Sequence, residues 1–218
     1  VPEFLSLPAD SRREIITTVA ANTGRSALVL EKDVWICWAL DVLFTIPGRP
    51  DMAFKGGTSL SKVFDAIERF SEDVDVTLDH RSLIAALDPF EDGKSGKQKT
   101  RDSEALKAAV RDYVHGTIKP AIDAALDAMA LEDGWTTEAD NTGEKLWIYY
   151  PSAFDRGESE YVSEGVLLEF GGRMITEPNL DRTVTPYLAP EVPTLDFPTA
   201  TVTVLAPDAL AQLAAATG

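Results

Sequence analysis

The chain is poor in the features that would place it outside the cell or in a membrane. A single cysteine, Cys37, in 218 residues excludes an internal disulfide and suits a reducing compartment. The opening "VPEFLSLPADSRREII" has no basic stretch leading into an apolar run, so no secretory signal is read there. The most apolar stretch, Val34 to Ile46, is broken by Asp41 and falls well short of the ~20 residues a membrane-spanning helix needs. A cytoplasmic protein with no membrane partner is expected. Basic residues are scarce as well: 20 Lys and Arg stand against 36 Asp and Glu, a formal net charge of −16. That field repels nucleic acid at long range, so any contact with RNA must be local or bridged by metal. There is no internal repeat. What is present, 44% hydrophobic and 26% charged residues, describes an ordinary folded chain with room for one substantial domain.

Helical spacing appears early. "ADSRREIITTVAANTG" sets Ile15, Ile16, Val19 and Ala20 on one face and stops at Gly24. "SALVLEKDVWICWALDVLFTIPG" is a more apolar helix ended by Pro47-Gly48, and Cys37 sits among its core residues. "DMAF" is short enough to be a strand and feeds into "KGGTS", where Thr58 or Ser59 is expected to cap a helix carrying Leu60, Val63, Phe64 and Ile67. "DVDVTL" then alternates: Val74, Val76 and Leu78 on one face, Asp73, Asp75 and Thr77 on the other. Residues 88–104 read as a polar loop bearing Lys94, Lys97, Lys99 and Arg101. The "GKS" within it lacks the earlier glycine of a Walker motif, since position 88 is Asp88. A long helical pattern follows through Leu106, Val110, Tyr113, Val114, Ile118, Ile122 and Leu126, bent or divided at Pro120. The last third is strand-like: "KLWIYY", "GVLLEF", "RTVTPYL" and "TATVTVLA". The fold class expected is α/β (α+β), a mixed sheet flanked by helices. Residues 1–206 form the core domain, and 207–218 an Ala-rich tail.

The chemistry concentrates in residues 55–75. Gly56 and Gly57 before a helix leave backbone N–H groups free to meet an anion, with no Cβ to hold a phosphate away. Thr58 and Ser59 add hydroxyl donors. Asp73 and Asp75 share a strand face, and paired carboxylates suit magnesium, which takes oxygen ligands and completes its shell with substrate phosphates. Either feature alone is more often a tight turn or an edge strand showing acids to water, a reading that Glu72 beside them also fits. Together they bring phosphates and metal to one place. Glu169 is an acid inside the apolar "VLLEF", where an unpaired carboxylate would be costly, and it is the candidate third acid.

"KGGTSLSK…RFSEDVDV" resembles the signature of the AbiEii-type nucleotidyltransferase toxins, a MenT-like family within the DNA-polymerase-β-like nucleotidyltransferases. "EKDVWICWALDVLF", "IYYPS" and "VLLEFGGR" resemble further segments of that family, so the likeness runs from Glu31 to Arg173. It implies a nucleotidyltransferase-type mixed sheet. It further implies that Gly56, Gly57 and Thr58 meet nucleotide phosphates and that Asp73, Asp75 and Glu169 hold Mg²⁺ or Mn²⁺. Lys145 or Arg173 would grip the triphosphate, with Lys55 and Lys62 as further phosphate candidates. The substrate implied is an NTP, the acceptor the 3′ end of tRNA, and the partner an antitoxin encoded nearby. The basic stretch Lys94, Lys97, Lys99 and Arg101 is the place for an RNA acceptor. Family members usually continue into a helical C-terminal part, which is expected to be absent here. The alternatives are a transferase acting on a small-molecule or protein hydroxyl and a non-catalytic nucleotide-binding protein.

Overall fold

In the computed structural model the described residues are 1–63, 72–85, 88–89, 91–131, 134–154, 165–172 and 179–205. The Ala-rich tail at 207–218 and Arg173 lie outside them. The element order begins with three helices, α1 (Glu3–Ser6), α2 (Ala9–Thr23) and α3 (Ala27–Thr45), then β1 (Met52–Lys55), α4 (Gly56–Lys62), β2 (Asp73–Leu78) and α5 (His80–Leu83). After these come α6 (Gly96–Tyr113), a π turn (Val114–Ile118), α7 (Lys119–Ala128), and the strands β3 (Thr136–Ala139), β4 (Lys145–Tyr149), β5 (Val166–Gly172), β6 (Asn179–Val184) and β7 (Ala200–Leu205).

The seven strands form one mixed sheet in the order β3-β4-β5-β2-β1-β7-β6. β1 and β2 are antiparallel, while β2 pairs parallel with β5 and β1 parallel with β7. β2 is therefore central. The reading of its acids as the decoration of an edge strand fails on this point.

The apolar half of the β2 alternation, Val74, Val76 and Leu78, is fully buried. Gly172 stands opposite Leu78, and a Cβ there would meet Leu106 and Val110, so α6 covers this face of the sheet. α3 packs against β7 from within the core and carries Trp35, whose ring stacks on Tyr150 at 4.8 Å. Cys37 is buried and its thiol pushed upward by that burial, which makes it inert core.

Two expectations are corrected. The segment 88–104 is not all loop, because α6 starts at Gly96 behind a capping box in which Ser95 and Gln98 satisfy each other's backbone N–H. The long helix is divided by the π turn, with Pro120 placed at the start of α7. Its buried residues Leu106, Val110, Val114, Ile118, Ile122 and Leu126 fall every four places, which drifts roughly 40° per step around a 3.6-residue helix. The wider π turn returns the stripe toward the core. β3, short and mostly polar, was not legible in the pattern.

Candidate active site

The antiparallel and parallel registers line up four charged residues across four neighbouring strands. Lys55 of β1 pairs with Asp75 of β2, Asp75 with Glu169 of β5, and Glu169 with Lys145 of β4. Their side chains share a face, one strand spacing of about 4.8 Å from neighbour to neighbour. The row reads cation, acid, acid, cation. Lys145 Nζ lies 2.9 Å from Glu169 Oε1 and Lys55 Nζ 3.9 Å from Asp75 Oδ1. Asp73, two residues along β2, shares this face. Lys55, Asp75, Glu169 and Lys145 line an open cleft of about 340 Å³ whose rim includes Glu144 and Gly171.

Three carboxylates against two ammonium groups leave the cleft floor with excess negative charge. Partial burial raises the pKa of Asp73, with Glu169 adding to the effect, and Lys32 works against it. Burial likewise raises Asp75, opposed by Lys55 and reinforced by Glu169 and Asp73. The Lys145 ammonium is stabilised by its hydrogen bond to Glu169. Among the described residues no three His, Cys, Asp or Glu side chains form a set that would hold a metal unaided. Carboxylate oxygens that repel one another are nonetheless the donors a hard divalent cation takes, one or two at a time, beside water and substrate phosphate. Asp73, Asp75 and Glu169 fit that use.

Gly56 explains how the glycine segment meets the acids. It adopts φ +77°, and a Cβ on it would lie 2.0 Å from Asp75 Oδ2. Only glycine permits this backbone and this approach. The helix starts at Gly56 with Lys55 as its N-cap, so neither Thr58 nor Ser59 caps it. Thr58 is buried and its hydroxyl donates to the Asp73 carbonyl oxygen, tying α4 to β2. Ser59 is equally buried, with a hydroxyl that has no hydrogen-bond partner among the described residues.

Lys62 is also corrected. It is neither on a solvated helix face nor open to a phosphate, for its side chain is 2% exposed and its ammonium donates to Asp33 Oδ1. Burial opposes that charge, yet Asp33 outweighs it and holds the Lys62 pKa above the ordinary value. Glu72 is not a free acid beside the pair, because the fully buried Lys32 donates to it at 2.6 Å. Sequence reasoning passed over Lys32 and Asp33, although three ionisable residues in succession inside an apolar helix were a signal.

The basic stretch is only partly available. Lys94 donates to Asp102 Oδ2 at 3.0 Å and to the Asp88 carbonyl at 2.7 Å, and Arg101 reaches Asp102 Oδ1 at 3.2 Å. Lys97 and Lys99 stand exposed in the first turns of α6.

Comparison with protein families places the chain among the nucleotidyltransferases. It belongs to the AbiEii family, described as nucleotidyl transferase AbiEii toxin of type IV toxin–antitoxin systems, whose model matches residues 38–211. Among solved structures it is similar to MenT4, a nucleotidyltransferase toxin from Mycobacterium tuberculosis H37Rv, at 17% identity and a TM-score of 0.47. That match covers 89% of this chain and 55% of MenT4, so the chain spans little more than half the length of that toxin. No curated protein matches. No helix among the described residues is long and apolar enough to cross a membrane.

Proposed function

We propose that the protein is a Mg²⁺-dependent nucleotidyltransferase that moves NMP from an NTP to the 3′ end of tRNA and so blocks translation. The observation that carries this reading is the row Lys55, Asp75, Glu169, Lys145 on the floor of an open cleft, with Asp73 beside it. A bound divalent ion would supply charge neutralisation for the phosphates and a lowered pKa for the attacking hydroxyl. Asp73, Asp75 and Glu169 would hold it, Mn²⁺ being the other candidate. The acceptor oxygen attacks the α-phosphorus, the bond to the bridging oxygen breaks, and pyrophosphate leaves. One of the three carboxylates takes the proton of the attacking hydroxyl.

Lys145 has a second task. Its ammonium is bonded to Glu169 and 45% exposed, so it can exchange the carboxylate for a phosphate of the incoming triphosphate. Lys55 and the backbone of Gly56 and Gly57 would meet the same triphosphate from the other side of the row. The cognate antitoxin, encoded nearby, is the expected partner, and the cytoplasm the expected location.

A second reading keeps the chemistry and changes the acceptor to a small-molecule or protein hydroxyl. It is favoured by the net charge of −16 and by the engagement of Lys94 and Arg101 with Asp102. Incubation with each labelled NTP, Mg²⁺ and total RNA decides between them. Label migrating with tRNA supports the first reading, and label in a small product or in protein supports the second. No metal-dependent turnover of any NTP under these conditions refutes both.

A further inference from the structure

Glu31, Lys32 and Asp33 are three successive ionisable residues buried in α3. An apolar interior tolerates such groups only when each is partnered, and each reaches a different segment of the chain. Glu31 accepts hydrogen bonds from Ser152 Oγ and the Ala153 N–H, both at 2.6 Å, beyond the end of β4. Lys32 donates to Glu72, and Asp33 accepts from Lys62 and, at 2.7 Å, from the Tyr187 N–H. Lys62 also lies 4.2 Å from the centre of the Tyr187 ring.

Two of these partners bracket the acid row. Lys62 is the last residue of α4, whose first residue lies against Asp75, and Glu72 immediately precedes Asp73. A seven-residue helix is too short to hold its own place by helix propagation. Buried ion pairs are a poor source of net stability, since apolar replacements of similar volume often do as well. What they do supply is direction, because the partners must meet at one distance and angle.

We propose that Lys32 and Asp33 are positioning residues for nucleotidyl transfer. α3 holds α4 by its C-terminal end and β2 by the residue before Asp73. It thereby fixes the glycine backbone relative to the carboxylates without touching substrate. The proposal rests on the transferase reading above.

Glu72 offers the cleanest test, because its side chain is 26% exposed and its close analogues keep an acceptor for the buried Lys32. Glu72→Asp keeps the charge but shortens the reach by one methylene, so it must either release Lys32 or drag Asp73. A displacement near 1 Å is expected to lower the single-turnover transfer rate by about 10- to 100-fold, with KM for NTP and melting temperature little changed. Glu72→Gln keeps the length and an acceptor oxygen but not the counter-charge of the buried Lys32, so it is expected to melt lower than the wild type while recovering most of that rate. Asp33→Asn/Lys62→Met removes both charges together while leaving an acceptor for Tyr187. It is expected to weaken NTP binding, read by calorimetry for each of the four NTPs with Mg²⁺, by about tenfold, because α4 loses its anchor. Wild-type rate in Glu72→Asp, or equal losses in Glu72→Asp and Glu72→Gln, overturns positioning through reach. Wild-type NTP affinity in the folded double variant overturns the anchoring of α4, and if that variant does not fold the Glu72 pair decides alone. Failure of the transferase reading itself would appear differently, as no metal-dependent turnover of any NTP by the wild-type protein.

Discussion

Gly56→Ala is expected to cost more activity than stability, and the two losses can be worked separately. Gly56 has φ +77°, a backbone that costs an alanine about 1–2 kcal/mol. In a chain of this size each kcal/mol is worth roughly 2–4 °C, so a fall in melting temperature of about 2–8 °C is expected. The added Cβ would lie 2.0 Å from Asp75 Oδ2, while ordinary contact begins at 3.4 Å, so the carboxylate or α4 must retreat by about 1.4 Å. A displacement of that size at a reacting group costs about 100-fold in rate, or ~2.7 kcal/mol on the barrier. Gly24→Ala is the matched control: φ is +71° there, and nothing lies within 4 Å of the new Cβ. Melting by circular dichroism and transfer of labelled NMP at 25 °C would be measured on both variants. The reasoning is refuted if Gly56→Ala melts lower yet transfers nucleotide as well as Gly24→Ala does.

Asp73→Asn and Asp75→Asn should abolish transfer while leaving stability at neutral pH unchanged or slightly higher. Both carboxylates have pKa values raised above the ordinary 3.8. Their contribution to stability is therefore complete below that value and lost as pH rises through the raised one. The melting temperature of the wild type should fall relative to Asp75→Asn between about pH 4 and neutrality, and parallel pH profiles would contradict the assignment. Lys145→Met should weaken triphosphate binding by calorimetry with little effect on melting, because both members of the pair with Glu169 are partly open to solvent; unchanged affinity removes Lys145 from the site. Lys97→Ala/Lys99→Ala should raise KM for tRNA and lower its salt slope by about one per lost phosphate contact, with NTP affinity unchanged. Lys94 and Arg101 stay in place in that variant because their loss would strand the buried Asp102. Normal tRNA modification at every salt concentration would exclude Lys97 and Lys99 as contacts of the acceptor.

The elements that carry the site were legible because their signals are local. Strict alternation in "DVDVTL" put Asp73 and Asp75 on one face, and an acid in an apolar run drew notice to Glu169. The pairing that joins Asp75 to Glu169 is parallel and spans more than ninety residues, so only the folded sheet sets its register. The same holds for Lys145, whose place opposite Glu169 follows from the β4–β5 pairing. The true start of α6 was readable, since "SGKQ" has the spacing of a capping box, but its lysines made it look like loop. The burial of Lys62 was not readable at all. Its partner Asp33 lies on another helix, 29 residues earlier, and an amphipathic pattern alone assigns a lysine near a helix end to solvent.

The position of β7 governs when the site can exist. β1 delivers Lys55 and the glycine segment from residues 52–57, yet its second neighbour in the sheet is β7, made of residues 200–205. While the chain is being synthesised, β1 thus remains an open edge until about 150 further residues have emerged, and pairings of that span close slowly. Glu169 joins β2 only after β5 has been made, late in the same interval. An assembled acid row within an intact sheet therefore requires the chain through Leu205 of β7, and a ribosome carrying a copy that stops short of it carries an unfinished site.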